Sequence, residues 1–599
     1  MSPRLFGPLV VVCLLAASAA CGQDGAATTN AAAAADTVTE SGSWLTRAFK
    51  RYLVDTPQEG DLLDGQAVQA VDKYSRHIGK PIEVVIVSQV ARFDQEWNQD
   101  KATGQRLLNT ATRPIHAYTQ DRVIREYLLF EQGQVVDPFA LADSERMLRQ
   151  LDFINDVRIT LIPLQGEVET IAVVVEVRDK WPFGITGTVK DVDRYVASLY
   201  FSNLGGLGIR LENRLIYRGD REPDLGYRGT VSKRNVRGTF IDLALQYEDS
   251  WERLQRQIGF ERDLVHPAIK WVGGAFWEDT DVRDNEGIPR RFYLGDYWAG
   301  RTIQLSEGRA DLTAARPVLV PAARFNQTIF SERPSVDADT NRAYHDTKSL
   351  LGSVAYQRLK YYKTSYLYRM GETEDVPAGL AAKLSAGYEW REFYDRTGVF
   401  TELVYASIRN AGDIWVAGAR LGGHYRDHVF EEGNLWLTVS YISPLMGKGK
   451  YKHRFLSRLD YHRAINWYAD TALMLGDRTG IRGLENNRVL GSQRLVLKLD
   501  SRVFTPWNLL GFRFMVSAFS DIGAVAGEKE PLLQAKFYGN LGVGIRIENP
   551  NLVLPEVEIR FLLVNNIGNG DLGLDFDVGN PSYPEYRIPS TKPGSFFFQ

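Results

Sequence analysis

An arginine flanked by glycines and a run of alternating charges are the chain's strongest candidates for a functional site. The stretch GIRGLENNRVLG, from residue 480 to 491, contains Arg482 followed by Gly483. Just downstream, the run RLVLKLDSR carries a charge at every second position, at Lys498, Asp500 and Arg502. Because side chains alternate between the two faces of a β-strand, these three project from one face. Such residues form ion pairs, and an arginine can bind a carboxylate through two parallel hydrogen bonds.

A candidate partner for Arg482 lies on the next strand-like run, FRFMVSAFSDIGAV. Most of its apolar residues occupy even-numbered positions, which share one face of a strand. Phe519, Asp521 and Gly523 occupy odd-numbered positions on the other face. A carboxylate enclosed by protein and shielded from water needs a cation or several donors. Parity therefore favours a pair between Arg482 and Asp521, although an Arg-Gly dipeptide is common in ordinary turns when the motif stands alone.

The sequence shows no motif for metal, cofactor or nucleophilic chemistry. The eight histidines are scattered, and HYRDH, from His424 to His428, lies among strand and turn signals, where its imidazoles are not one helical turn apart. Neither a G-x-S-x-G elbow nor a phosphate-binding glycine loop occurs. The 71 basic and 74 acidic residues nearly balance, without a basic stripe. We expect no catalytic residues, metal site, cofactor or nucleic-acid partner.

The N-terminus has the pattern of a secretory signal. Arg4 precedes LFGPLVVVCLLAASAA, which ends in small residues and is too short for a transmembrane helix. We expect residues 1–20 to be a signal peptide, with lipidation at Cys21 as the alternative to simple cleavage. Residues 21–60, which include an alanine-rich low-complexity run, are expected to form a flexible linker.

Residues 61–180 have the pattern of a small α+β domain. A strand is expected at 82–90, and a later one has alternating apolar residues from 171 to 177. Between them, TQDRVIREYLLFEQG predicts a helix with Thr119 as its N-cap, and a second helix begins at Asp137 with Pro138 in its first turn. The order β-α-α-β-β predicts one half-buried sheet covered by two helices.

From residue 181 to 599, alternating strand-length segments recur between Gly, Asn, Asp and Pro. One face is apolar and the other carries both charge signs, as in the segment from Leu541 to Glu548. A soluble sandwich turns its polar face to water, whereas a transmembrane barrel turns its apolar face to lipid and lines its lumen with charges. The secretory signal, the length and the aromatic residues near strand ends favour the barrel. About 420 residues would hold roughly 16 crossing strands, and a tail is expected from about residue 579.

These motifs resemble those of the BamA/TamA superfamily of outer-membrane assembly and translocation barrels, which includes two-partner secretion transporters. IRGL, at 481–484, looks like the V-R-G-F/Y motif of the family's inward-folding loop. FSDIG, at 519–523, looks like its F-x-D-x-G strand motif, and DSR, at 500–502, stands where the family often has E-x-R. The unit at 61–180 resembles a polypeptide-transport-associated (POTRA) domain.

The resemblance implies one periplasmic POTRA domain followed by a transmembrane antiparallel β-barrel of about 16 strands in a bacterial outer membrane. It implies that Arg482 packs in the lumen against Asp521, which holds the loop inside the barrel. The loop-lock motif then comprises five residues: Arg482, Gly483, Phe519, Asp521 and Gly523. The charges at Lys498, Asp500 and Arg502 would line the lumen.

The implied function is that of an insertase or translocase, which assembles barrel proteins or translocates polypeptide through a laterally openable barrel. Its implied partners are the outer-membrane bilayer, unfolded barrel or secreted polypeptides bound by the POTRA domain, and accessory proteins. The alternatives are a passive pore, a structural surface-antigen barrel, and lipid transport by the same scaffold.

Overall fold

The computed structural model describes most of the chain after residue 62. The described residues are 63, 65–89, 118–164, 169–191, 193–220, 222, 224–283, 290–305, 315–409, 412–447, 450–467, 473–477, 479–484, 489–509, 511–553, 556–565, 572–579 and 588–594. The signal peptide and linker predicted for residues 1–60 lie outside them.

The first folded unit is a three-stranded sheet with two helices, within residues 65–180. Its sheet consists of β2 (Ile82–Gln89), β3 (Ile154–Leu164) and β4 (Thr170–Asp179), and its helices are α1 (Asp121–Arg125) and α2 (Pro138–Arg149). The short strand β1 (Val68–Gln69) and a 3-10 helix (Asp72–His77) precede β2 and lie outside this sheet. Strand β4 lies in the middle of the sheet, parallel to β2 and antiparallel to β3. The β-α-α-β-β order expected from the sequence is observed, and we refer to this part of the chain as the α+β unit.

Helix α2 begins as predicted, whereas the prediction of Thr119 as a helix cap is wrong. Asp137 accepts a hydrogen bond from the backbone N–H of Phe139 at 3.0 Å. Thr119 instead donates its backbone N–H and its hydroxyl to Asp179, at 2.7 and 2.9 Å. The N-cap of α1 is Gln120, which makes no side-chain cap. A half-buried carboxylate at the end of β4 thus binds both donors of the residue that local sequence assigns to a cap.

The core of the α+β unit follows the alternation of β4. Ile171, Val173, Val175 and Val177 are buried together with residues of α2 such as Leu141 and Leu148. Removing this much apolar surface from water stabilises the unit, at roughly 25 cal/mol per Å².

The second folded unit is a large antiparallel sheet. Its long strands are β5 (Phe183–Asp191), β6 (Arg194–Phe201), β7 (Ile209–Arg218), β8 (Leu225–Lys233), β9 (Asp242–Asp249), β10 (Arg253–Arg262), β11 (Trp271–Val282), β12 (Arg290–Arg301), β14 (Val318–Glu332), β15 (Thr347–Thr364), β16 (Glu374–Arg391), β17 (Asp395–Ile408), β18 (Ile414–Arg426), β19 (Val429–Ile442), β20 (Lys452–Ile465), β23 (Gln493–Leu509), β24 (Phe512–Ala526), β25 (Phe537–Glu548), β26 (Val557–Asn565) and β27 (Leu572–Gly579). The short strands are β13 (Ile303–Gln304), β21 (Leu473–Met474) and β22 (Leu490–Gly491).

Each long strand pairs antiparallel with the next. The two ends of the meander meet at one end of the sheet, where Trp181, just before β5, bridges Leu552 and Tyr200 of β6 donates to the carbonyl of Val553, so that the sheet curls round into a barrel. The described residues contain twenty long strands in place of the roughly 16 expected. The estimate is too low because several hairpins close through only two or three residues, such as 392–394 and 427–428.

The two faces of this sheet differ as the sequence alternation predicts. On β25, Leu541, Val543 and Ile545 are exposed on the outer face, whereas Asn540 and Arg546 are buried on the inner face. Other strands repeat the pattern, with charged residues buried inside the closed sheet. The interior of the barrel is therefore polar, and we call it the lumen.

The α+β unit packs across one end of the barrel. Gln120 donates its backbone N–H to Gly206, between β6 and β7, at 2.9 Å. On α2, Arg149 binds Asp375, at the start of β16, through hydrogen bonds of 2.9 and 2.8 Å. Strand β1 pairs with the end of β15. Since consecutive strands alternate in direction, all these contacts lie at the same end, which we call the docked end.

Candidate functional site in the lumen

The connection between β20 and β23 folds back into the lumen. It begins at the end of the barrel opposite the α+β unit, and its strands β21 and β22 pair with each other. Its apolar side chains join inward residues of the barrel wall in one buried cluster: Leu475, Ile481, Leu484, Val489, Val496, Phe519, Val525, Tyr538, Leu562 and Val564. We call the described residues 473–491 of this connection the inward loop. Burial of its apolar residues and one ion pair hold it inside the barrel.

That ion pair joins Arg482 of the inward loop to Asp521 of β24. The arginine donates from Nε to Oδ2 at 2.8 Å and from Nη2 to Oδ1 at 2.7 Å. Its backbone N–H donates to the same carboxylate at 3.0 Å. Arg482 is 2% exposed and Asp521 0%. Bidentate geometry in a buried site makes this a strong contact, and loss of either partner would leave the other charge uncompensated.

Asn540 of β25 completes this site and was missed by the sequence reasoning. Its Nδ2 donates to the carbonyl oxygen of Arg482 at 2.8 Å and to Oδ2 of Asp521 at 3.0 Å. Its Oδ1 accepts from the backbone N–H of Asp521 at 2.7 Å. Its inward parity was visible in the sequence, but nothing there indicated that β25 would bring this side chain against the inward loop.

The other residues of the loop-lock motif surround the pair. The guanidinium of Arg482 lies 3.8 Å from the ring centroid of Phe519, which is a cation–π contact. Gly483 has φ +74°, a conformation that favours glycine, and its N–H donates to Oδ1 of Asp477 at 2.9 Å. At Gly523 a Cβ would come within 3.2 Å of Leu475. Glycine at this wall position leaves room for the inward loop.

The alternating charges of β23 face the same site. Nζ of Lys498 lies 3.6 Å from Oδ2 of Asp521. Oδ2 of Asp500 lies 3.3 Å from Nη2 of Arg502 and 3.9 Å from Nη1 of Arg482. Three cations and two carboxylates thus form one cluster on the lumen wall. This arrangement contains no nucleophile placed beside a base, and it can hold or release the inward loop.

A second buried charge cluster, which sequence reasoning did not anticipate, fastens the α+β unit to the barrel. Glu145 of α2 is fully buried, 2.7 Å from Nζ of Lys363 on β15 and 3.2 Å from Nη1 of Arg149. Burial alone raises the pKa of the Glu145 carboxyl, but the charges of Lys363, Arg149 and Lys73 outweigh burial and hold this pKa well below its usual range. Only the tertiary structure brings Glu145 and Lys363 together.

In the part of the chain that the structure describes, no group of three His, Cys, Asp or Glu side chains is placed to hold a metal ion. His424 is buried on β18, whereas His428 lies in the exposed hairpin after it. No helix within the described ranges is long and apolar enough to cross a membrane.

Solved structures similar to this chain include BamA from Haemophilus ducreyi lacking POTRA domains 1–3, with 10% identity, a TM-score of 0.35, and 83% of each chain covered. CdiB from Escherichia coli has 12% identity and a TM-score of 0.38, over 89% of this chain and 94% of that one. CdiB from Acinetobacter baumannii has 10% identity and a TM-score of 0.34, over 87% and 78%. No protein-family model matches the chain, and no curated protein matches it.

Proposed function

We propose that this chain is a bacterial outer-membrane insertase or translocase. In this proposal the barrel spans the membrane, and the α+β unit acts as a periplasmic POTRA domain that receives extended polypeptides. The observation that carries the proposal is the open strand edge of β2, in a unit that lies across one end of a lumen containing an ion-paired inward loop.

The outer face of the barrel supports a membrane location. Apolar side chains stand exposed at alternate positions on most long strands, which is far more contiguous apolar surface than a soluble protein leaves in water. Most exposed tryptophans of the described residues lie near the rims: Trp271, Trp415 and Trp507 toward the docked end and Trp390 toward the other, whereas Trp277 lies midway along β11. Tryptophan and tyrosine at the two interfaces of an apolar band are typical of transmembrane barrels.

The edge of β2 supports polypeptide binding. Within the described residues the ladder of β2 is with β4; its other edge bonds to residues 133–134 at Ile82 and beyond that residue pairs with no strand, so it offers backbone N–H and C=O groups there. A groove of about 740 Å³ lies beside it, lined by Val85, Val87 and Gln89 and by residues 118–121. An extended client can add to such an edge as a further strand. At the opposite edge, residues 154–157 of β3 are buried, and Arg149 donates to the carbonyl of Val157 at 3.2 Å.

The lengths of the strands support a seam near the join of the first and last strands. β5, β6, β26 and β27 contain eight or nine residues each, as do β8 and β9, and within the described residues no ladder joins β27 to β5. Shorter neighbours share fewer backbone hydrogen bonds, so this part of the wall separates at lower cost. Lateral opening here would let a client strand enter the bilayer.

Site-specific photo-crosslinking in cells tests the proposal. A photoreactive residue at Ile86 on β2 is expected to capture unfolded outer-membrane barrel polypeptides, and one at Ile162 on β3 is the matched control, since both positions are 46% exposed. Depletion of the protein is expected to lower the levels of the captured clients in the outer membrane. Unchanged levels, or equal capture from both positions, would argue against assembly through the β2 edge and would favour a passive pore.

A further inference from the structure

Residues 588–594, IPSTKPG, lie inside the lumen although they follow the last strand of the barrel. Their contacts are to inward residues of β12, β14, β15 and β16. Pro589, Thr591 and Pro593 are buried there. We call residues 588–594 the lumenal tail.

Most of these contacts recognise the backbone of the lumenal tail. Lys383 of β16 donates from Nζ to the carbonyl oxygens of Ser590 and Lys592, at 2.9 and 3.1 Å. Arg324 of β14 donates to the carbonyl of Pro593 at 2.8 Å, and Gln357 of β15 donates to that of Pro589 at 3.1 Å. Backbone carbonyls are common to every polypeptide, so this part of the cradle does not depend on one sequence.

One contact selects a positive side chain. Nζ of Lys592 lies 2.7 Å from Oδ2 of Asp296 on β12, whose carboxylate also accepts hydrogen bonds of 2.7 and 2.9 Å from Arg324. Ser590 adds a weaker hydrogen bond of 3.2 Å to Asp263, just beyond β10. The cradle therefore combines donors for an extended backbone with a carboxylate for a lysine.

The space around the cradle continues beyond the tail. A cavity of about 1140 Å³ is lined by Asp296, Arg324 and Lys592. It extends toward the end of the barrel opposite the docked end, where Phe330 and Arg391 line it. The lumenal tail thus lies along the wall of a larger space, where another polypeptide could reach the same groups once the tail leaves.

We propose that Asp296, Arg324, Gln357 and Lys383 form a polypeptide-binding site in the lumen that the chain's own lumenal tail occupies. An extended segment with a basic residue would take the same contacts and displace the tail, which acts as a tethered competitor. That the incoming segment belongs to a client rests on the proposed function. The cradle and its internal ligand do not depend on it.

Peptide binding to the purified full-length protein tests this site. The substitution Lys592→Glu places a carboxylate beside Asp296 and should expel the tail without changing the wall, and Lys529→Glu makes the same charge change in an exposed turn. A fluorescent peptide of sequence IPSTKPG is expected to bind the Lys592→Glu protein at least about tenfold more tightly than the wild type or the Lys529→Glu control. Equal binding to all three proteins would overturn the proposal.

Substitutions of the residues on the barrel wall provide a second test of the site. In the Lys592→Glu background, Asp296→Asn is expected to weaken the peptide by about tenfold or more, and Gln357→Ala, which leaves the ion pairs in place, should weaken it less. Resistance of the folded barrel to unfolding in detergent verifies that each variant is intact. Unchanged affinity in folded variants of both kinds would refute the assigned cradle.

Two combined outcomes separate this inference from the proposed function. Specific peptide binding, together with client levels unaffected by depletion, supports the lumenal site and overturns the insertase role. Absent peptide binding, together with lost clients on depletion, overturns the lumenal site and leaves the insertase role standing.

Discussion

Replacing Arg482 with alanine is expected to release the inward loop while the barrel stays closed. The substitution removes the hydrogen bonds of 2.8 and 2.7 Å to Asp521 and the contact with the ring of Phe519. Asp521 then remains buried with Asn540 and the more distant Lys498 as its side-chain partners. The strands themselves lose no ladder hydrogen bond, so the effect should be confined to the inward loop.

The size of the effect follows from this geometry. Hydrogen bonds between charged groups contribute about 1.5–3 kcal/mol each, and removing one partner of a buried pair costs about 3–5 kcal/mol. Lys498 offsets part of this loss, since its Nζ lies 3.6 Å from the carboxylate. We expect the held state of the loop to lose about 3 kcal/mol, which raises the released fraction roughly a hundredfold. Asp521→Ala should act similarly, and the double variant should add little to either single variant.

Thiol labelling of the inward loop measures this release. Leu484 is 1% exposed, so a cysteine there, in a Cys21→Ser background, should react slowly with a maleimide until the loop opens. Labelling is expected to accelerate roughly a hundredfold in the Arg482→Ala variant, because it tracks the population of the open state. The matched control is Arg396→Ala, which breaks buried contacts of 2.8 Å to Glu389 and Glu432 elsewhere in the lumen.

Three results would refute this reasoning. Unchanged labelling in the Arg482→Ala variant would show that apolar packing alone holds the loop. Fully additive effects of Arg482→Ala and Asp521→Ala would show that the two residues act independently despite their contact. Equal acceleration in the Arg396→Ala control would attribute the effect to general loosening of the barrel.

Three further perturbations are expected to have measurable effects. The folded-state pKa of Glu145 lies below the ordinary value of 4.5, so its pairing with Lys363 stabilises docking of the α+β unit above that pH and is lost as the pH falls. Glu145→Gln should therefore weaken docking at neutral pH. In limited proteolysis, the release of the α+β unit should also depend less steeply on acid pH in this variant. Burial raises the pKa of Asp179 to about 6, so the free energy of unfolding falls as the pH rises through 6 and the carboxyl loses its proton. Asp179→Asn should remove this pH dependence, worth up to about 3 kcal/mol, when unfolding is measured with denaturant at several pH values. Gly483→Ala, at φ +74°, should cost about 1 kcal/mol of loop retention in the same thiol assay; an unchanged labelling rate would contradict the strain argument.

The alternation of apolar and polar residues predicted which face of each strand points inward, but it did not predict the number of strands. The alternation that sets Leu541 outward and Asn540 inward is a property of the extended backbone, so it can be read one residue at a time. Where each hairpin turns depends on the register between neighbouring strands, which the pattern alone does not specify. The estimate of roughly 16 strands failed at hairpins such as 392–394, which close through three residues.

Local pattern also misassigned Thr119, for a related reason. A threonine before an acidic helical run is a good cap by local chemistry. In the folded chain the carboxylate of Asp179 reaches both of its donors from 60 residues away. A half-buried carboxylate competes more strongly for those donors than a helix end that water can satisfy.

By itself, the sequence determined the α+β unit, the alternating wall of the large sheet, and the inward parity of Lys498, Asp500 and Asp521, because each follows from the period of a local backbone. The tertiary structure alone decided that Asn540 joins Arg482 to Asp521, that Glu145 meets Lys363 at the docked end, and that residues 588–594 return to the lumen. These contacts join residues that are far apart in the chain. They arise only when closure of the barrel brings distant strands around one enclosed space, where buried charges must find partners.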